Sequence, residues 1–148
     1  MKKNYPIGIQ SFEEIRKGNY CYIDKTALVY KLAESGKYYF LSRPRRFGKS
    51  LLISTLEAYF QGRKELFEGL SMGKLEKEWI EYPILHLDLN AQKYDTPDSL
   101  YDMLNDMLCG WESRYGTRPS ETSLSLRFQG IIQRAAEKTG RNVVILNR

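Results

Sequence analysis

Residues 41–60, LSRPRRFGKSLLISTLEAYF, leave this chain few folds to choose from. They read as the end of a strand, a tight basic loop, and a helix opening on Gly48-Lys49-Ser50. Lys37-Tyr38-Tyr39-Phe40-Leu41 has the composition of a buried strand, while Leu51, Leu52, Thr55, Leu56, Tyr59 and Phe60 recur at helical spacing. Gly62 stands where a C-terminal cap is needed. Strand, loop and helix in that order, with Gly-Lys-Ser at the junction, make the second half of a phosphate-binding P-loop; the position of its first glycine holds Arg43.

The chemistry of such a loop follows from its backbone. The first turn of a helix has unpaired N–H groups and a partial positive charge, so it holds phosphate. Gly48 lets the backbone approach the phosphates, Lys49 reaches the β- and γ-phosphates, and the Ser50 hydroxyl binds Mg²⁺. Arg43, Arg45 and Arg46 add charge-assisted donors, and the fixed φ of Pro44 replaces the missing glycine in closing the loop. The expected nucleotide-binding set therefore runs through Arg43, Pro44, Arg45, Arg46, Phe47, Gly48, Lys49, Ser50 and Leu51, with Ser50 as the metal contact. The competing reading is a solvated basic turn before a helix.

Strands and helices alternate along the rest of the chain. Ser11 with Glu14 is a capping-box-like start to a short helix ending near Gly18-Asn19. Residues 20–23 are β-prone, and Asp24 is placed to cap a helix over residues 25–34 that closes at Gly36. Short helical turns are expected between Gly62 and Tyr82, where Gly69 and Gly73 argue against one long helix. Residues 83–89 read as a strand with Leu85, Leu87 and Leu89 on one face and Ile84, His86 and Asp88 on the other. His86 reads as a packed histidine. Asp88 is a further site candidate, because sites in open α/β sheets gather at the carboxyl ends of strands. Thr96-Pro97 starts a helix with the apolar stripe Leu100, Met103, Leu104, Met107, Leu108 and Trp111. Ser120 or Ser123 caps the next, Gly140 ends it, and residues 142–146 form the last strand. The order implies an α/β fold with a parallel sheet and flanking helices.

Composition sets the outer limits. A chain of 148 residues has one domain as its first expectation. No apolar run approaches the roughly 18 residues of a membrane span, and the N-terminus lacks the apolar core of a signal peptide. Two widely separated cysteines, Cys21 and Cys109, suit buried free thiols in a reducing cytoplasm, and no metal-ligand spacing is present. The net charge of +5 is uneven: residues 1–50 carry 11 Lys/Arg against 4 Asp/Glu, and residues 51–148 carry 12 against 14. The excess surrounds the phosphate loop. A nucleic-acid-associated binding module, with Arg43, Arg45 and Arg46 on the backbone phosphates, is the alternative that such asymmetry allows.

YYFLSRPRRFGKSLLISTLEAYF resembles the AAA-ATPase-like family of bacterial P-loop proteins, whose usual Walker A is arginine-rich and lacks the first glycine. YCYIDKTALVYKL upstream and YPILHLDLN downstream extend the resemblance over nearly the whole chain. It implies ATP and Mg²⁺ as ligands, a P-loop NTPase-like parallel sheet, and a place near the nucleotide for Asp24, Lys25 and Thr26. It divides residues 1–148 into a helical lead-in, 1–36, and the first part of the P-loop core, 37–148, in a single domain. In the family the last strand runs into an apolar residue and Asp-Glu, the Walker B acids; here residues 143–146 run into Asn147-Arg148. The expectation is a sheet incomplete at its C-terminus, with no catalytic residue and no useful hydrolysis. Relatives commonly carry a following nuclease-like domain of the PD-(D/E)XK type, which would bring nucleic acid as a partner; it is absent from these 148 residues. An inactive remnant of a frameshifted gene is the third reading.

Overall fold

A computed structural model describes residues 2–36, 39, 48–89 and 95–147. They group into two compact units, Met1–Glu81 and Tyr82–Arg148.

The first unit is helical among its described residues. Helix α1, Phe12–Lys17, begins where the Ser11 hydroxyl accepts the Glu14 N–H at 3.4 Å. Its acidic first turn and basic last turn complement the helix dipole. Phe12 and Ile15 are buried, and the Phe12 ring meets Phe67 at 4.8 Å and Tyr22 at 5.4 Å. Helix α2, Thr26–Ser35, starts one residue later than its sequence suggests and buries Thr26 and Val29. Helix α3, Lys49–Phe60, buries Thr55, Leu56, Ala58 and Tyr59. A 3₁₀ turn, Lys64–Phe67, and the five-residue α4, Ser71–Leu75, follow, the short turns expected of this connector. Gly62, just past the Gln61 cap of α3, has a φ of +70°, and a Cβ there would meet the Trp79 carbonyl oxygen at 2.8 Å.

Polar groups fasten these pieces to one another. Arg16 donates to the Leu66 carbonyl at 2.8 Å and the Glu68 carbonyl at 2.6 Å. Glu13 pairs with Arg63 at 2.8 Å and Lys17 at 2.5 Å. The Phe12 N–H donates to Ser54 Oγ of α3 at 3.0 Å. Among the described residues, 20–23 pair with no strand, and the Cys21 N–H reaches the Asn4 carbonyl at 2.8 Å. Of the expected strand 37–41, Tyr39 alone is described; it lies outside regular structure and is exposed.

The second unit holds a parallel two-stranded sheet. β1, Ile84–Leu87, pairs with β2, Val144–Asn147, in the register Ile84 with Val144 through Leu87 with Asn147. Parallel neighbours need a long crossover, supplied here by α5, Pro97–Tyr115, and α6, Leu124–Thr139. Thr96 and Ser99 cap α5 reciprocally, with Pro97 in its first turn. Ser123 caps α6 by accepting the Leu126 N–H at 3.2 Å, and Gly140 ends it in the left-handed region at φ +67°. Leu85, Leu108 and Ile131 are the buried centre, flanked by Trp111, Tyr115, Leu124, Phe128, Ile132 and Val143.

Arg127 joins the two helices, donating to Glu112 at 2.6 Å and Asn105 at 2.5 Å. Arg134 pairs with Glu121 and donates to the Tyr115 carbonyl at 3.1 Å. The architecture is thus mixed α/β with a small parallel sheet. The thiols differ from expectation: both are free, but Cys109 is exposed and Cys21 half-buried, because Cys109 falls on the face of α5 turned away from Met103 and Leu108.

Candidate functional site

Gly48 is the N-cap of α3 and adopts the left-handed region at φ +83°, ψ +13°. Few side chains tolerate that conformation, and glycine tolerates it at no steric cost. Its carbonyl accepts the Leu52 N–H at 3.0 Å, the first bond of the helix. No described side chain caps this end, so the N–H groups of Lys49, Ser50 and Leu51 have no acceptor within the helix. Lys49 is exposed, and Ser50 and Leu51 are half-buried. A dipole end, N–H groups with no acceptor within the helix and an exposed ammonium in one turn fit a phosphate chain. Arg43, Pro44, Arg45, Arg46 and Phe47 lie outside the described residues.

The fit to Mg²⁺ is narrower. Magnesium is usually held by one or two carboxylates together with substrate phosphates. Among the described residues no group of three or more His, Cys, Asp or Glu side chains could hold a metal. The Ser50 hydroxyl is the one described contact in the first turn of α3 suited to a metal arriving with the phosphates.

Asp24 and Thr26 sit in the first unit and are fully engaged. Asp24 Oδ1 accepts the Thr26 N–H at 2.9 Å and the Thr26 hydroxyl at 2.6 Å. Oδ2 accepts the Ser71 N–H at 2.7 Å and the Ser71 hydroxyl at 3.0 Å. Partial burial works to raise this carboxyl, but the Thr26 and Ser71 donors outweigh it and hold it at about 2. Thr26 is itself fully buried, and its Oγ1 accepts the Met72 N–H at 3.0 Å. Lys25, between them, is exposed. Asp24 thus bonds the N–H of Thr26, the first residue of α2, while Lys25 is its N-cap residue and makes no side-chain cap.

Asp88 follows β1 directly, at the carboxyl end of the parallel sheet, and is half-buried in the second unit. His86 lies within β1, half-buried and in register with Leu146.

Ser71, Met72, Tyr59 and Glu76 were missed as members of this polar network. The Tyr59 hydroxyl of α3 donates to Glu76, the C-cap of α4, at 2.5 Å. No local pattern marks that pair or the Asp24–Ser71 contact; both depend on tertiary packing. No described helix is long and apolar enough to cross a membrane.

The comparisons place the chain in a family. A family model described as "Predicted AAA-ATPase" matches residues 6–147. The chain is 36% identical over 146 residues to the "Uncharacterized protein in vnfD 5'region" of Azotobacter chroococcum mcd 1. That alignment covers 98% of this chain and 28% of the relative, so the chain spans little more than a quarter of that protein's length. No solved structure matches it. With its family model matched from Pro6 to Asn147, this chain belongs to the AAA-ATPase-like family.

Proposed function

We propose that residues 43–51 bind the phosphates of ATP, with Mg²⁺ arriving on the nucleotide. The observation that carries this reading is Gly48, left-handed at the N-terminus of a 12-residue helix that no described side chain caps and whose first residue is an exposed lysine. In this reading the N–H groups of the first turn and the Lys49 ammonium hold the β- and γ-phosphates, and Ser50 Oγ contacts the metal. Arg43, Arg45 and Arg46 add donors, Pro44 shapes the turn, and Phe47 and Leu51 flank the binding residues. Asp88 is proposed to act from the carboxyl end of β1 in one P-loop-type α/β domain running through residue 148. The reading places the protein in the cytoplasm. Family membership supports the nucleotide.

A duplex-binding surface has less support. Arg16, Lys17 and Arg63, which contribute to the basic balance of the first unit, are bonded to neighbouring carbonyls or to Glu13. The deciding experiment is calorimetric titration of Mg-ATP into the wild type and Lys49→Ala. Losing one charge-assisted phosphate contact, worth about 1.5–3 kcal/mol, weakens binding by roughly ten- to a hundredfold. Equal affinity in both proteins would contradict the assignment.

A further inference from the structure

The first unit raises a sharper question than where phosphate binds: what Asp24 and Thr26 do for that site. A carboxylate offers about four lone-pair positions. Asp24 has four donors on its two oxygens, two from Thr26 and two from Ser71, 47 residues away in sequence. Thr26 Oγ1 donates to Asp24 and accepts from the Met72 N–H, inside a side chain with no solvent exposure. With four donors on about four lone-pair positions, the Asp24 carboxylate has none left for a metal ion, and the Thr26 O–H is already given to Asp24.

The same contacts lead to the helix that carries Lys49. Asp24 and Thr26 hold the first two residues of α4, Ser71 and Met72. The other end of α4 is held by α3, through the Tyr59 hydroxyl on Glu76. Asp24 and Thr26 are therefore tied to α3 through α4, at Tyr59. Tyr59 and Lys49 lie on the same 12-residue helix.

We propose that Asp24 and Thr26 are positioning residues for the phosphate site: they fix α4 against α3, and hold its first turn in place without touching the nucleotide. The inference rests on the reading of Gly48, Lys49 and Ser50 given above and assigns the neighbouring Asp-Lys-Thr segment an indirect part in it.

Thr26→Val keeps the volume and removes the hydroxyl; Thr26→Ser keeps the hydroxyl. The full chain is titrated with ATP in Mg²⁺ and in EDTA, and exchange of the Met72 amide is followed by NMR. Leaving a buried N–H without its acceptor costs about 1–3 kcal/mol, so Thr26→Val should speed Met72 exchange by roughly five- to a hundredfold. Its affinity for ATP should fall about fivefold, by the same factor with and without Mg²⁺, as part of that cost reaches α3. Thr26→Ser should restore both readouts.

Unchanged ATP affinity in Thr26→Val, beside its loss in Lys49→Ala, would overturn the positioning role and leave the phosphate site standing. A loss confined to Mg²⁺ conditions would overturn it too, by making the segment a metal contact. Absence of ATP binding by the wild type would overturn both readings together. If Thr26→Val does not fold, Asp24→Asn serves the same comparison, since its carbonyl oxygen still accepts from Thr26 while its amide opposes the Ser71 donors; equal weakening in both buffers is expected, and no weakening contradicts the role.

Discussion

The Tyr59 hydroxyl donates to Glu76 at 2.5 Å and joins the last turn of α3 to the C-cap of α4. Burial pushes the Tyr59 hydroxyl far up, and the hydrogen bond to Glu76 and the carboxylate's charge push it further. Burial alone would raise the Glu76 carboxyl, but the Tyr59 hydroxyl and the N–H groups of Glu78, Lys77 and Trp79 hold it below its ordinary range. The other Glu76 oxygen accepts the Lys77 and Glu78 N–H groups at 3.0 Å. This arrangement supports Trp79 in the left-handed region at φ +49°, where its ring meets Phe67 at 5.2 Å and Tyr59 at 5.9 Å.

Tyr59→Phe should therefore destabilise the first unit by about 1–3 kcal/mol, the cost of leaving a partly buried acceptor without its donor. Chemical denaturation followed by Trp79 fluorescence, in a Trp111→Phe background, measures it. A change below about 0.5 kcal/mol, the ordinary range for a surface substitution, would show that the pair carries no load.

Acid should loosen the same unit through Asp24. Its carboxyl sits at about 2 in the folded chain against an ordinary 3.8, so its folded pKa is depressed. Such a group contributes stability that is fully present above the unfolded pKa and is lost as pH falls through the folded one. The stability of the first unit should fall between about pH 4 and pH 2. Glu13, lowered to about 2 mainly by its hydrogen bonds from Arg63 and Lys17, titrates in the same window. Asp24→Asn should flatten the slope without abolishing it. An unchanged slope in Asp24→Asn would contradict the bonding of Asp24 described here.

In the second unit, Gly130→Ala should be destabilising although alanine is the better helix former by about 1 kcal/mol. Gly130 is buried in α6, and a Cβ there would run into the Glu121 carboxylate. That carboxylate is held by Arg134, whose guanidinium also bonds the Tyr115 carbonyl, so it cannot swing aside without breaking the pair. A lower denaturation midpoint is the expected result. A higher midpoint would mean that the pair relaxes freely.

What was legible in the sequence was local. Ser11, Thr96-Pro97, Ser123 and Gly140 act at the ends of the helices they were read to start or stop, because a cap depends on residues within one turn. Alternation placed Leu85 in the core, and helical spacing placed Leu108 beside it. The junction of Gly48 with α3 could be read for the same reason. What escaped was nonlocal. Asp24 looked like a simple helix cap, and nothing near it in sequence announces Ser71. Residues 20–23 are β-prone, yet a strand needs a partner ladder, and among the described residues only the Asn4 carbonyl bonds this segment's backbone from a distant part of the chain. Cys109 was placed inside by residue type, but its position around α5 turned it outward.

The most direct measurement of the central claim is a ¹⁵N titration of the 17.3 kDa chain with Mg-ATP. The account predicts saturable shifts of the Gly48, Lys49 and Ser50 amides, together with downfield movement from phosphate bonding at the first turn of α3. It predicts the loss of those shifts in Lys49→Ala at the same ATP concentration. Saturable binding that leaves these three amides unmoved, or shifts that persist in Lys49→Ala, would contradict a phosphate site at the start of α3.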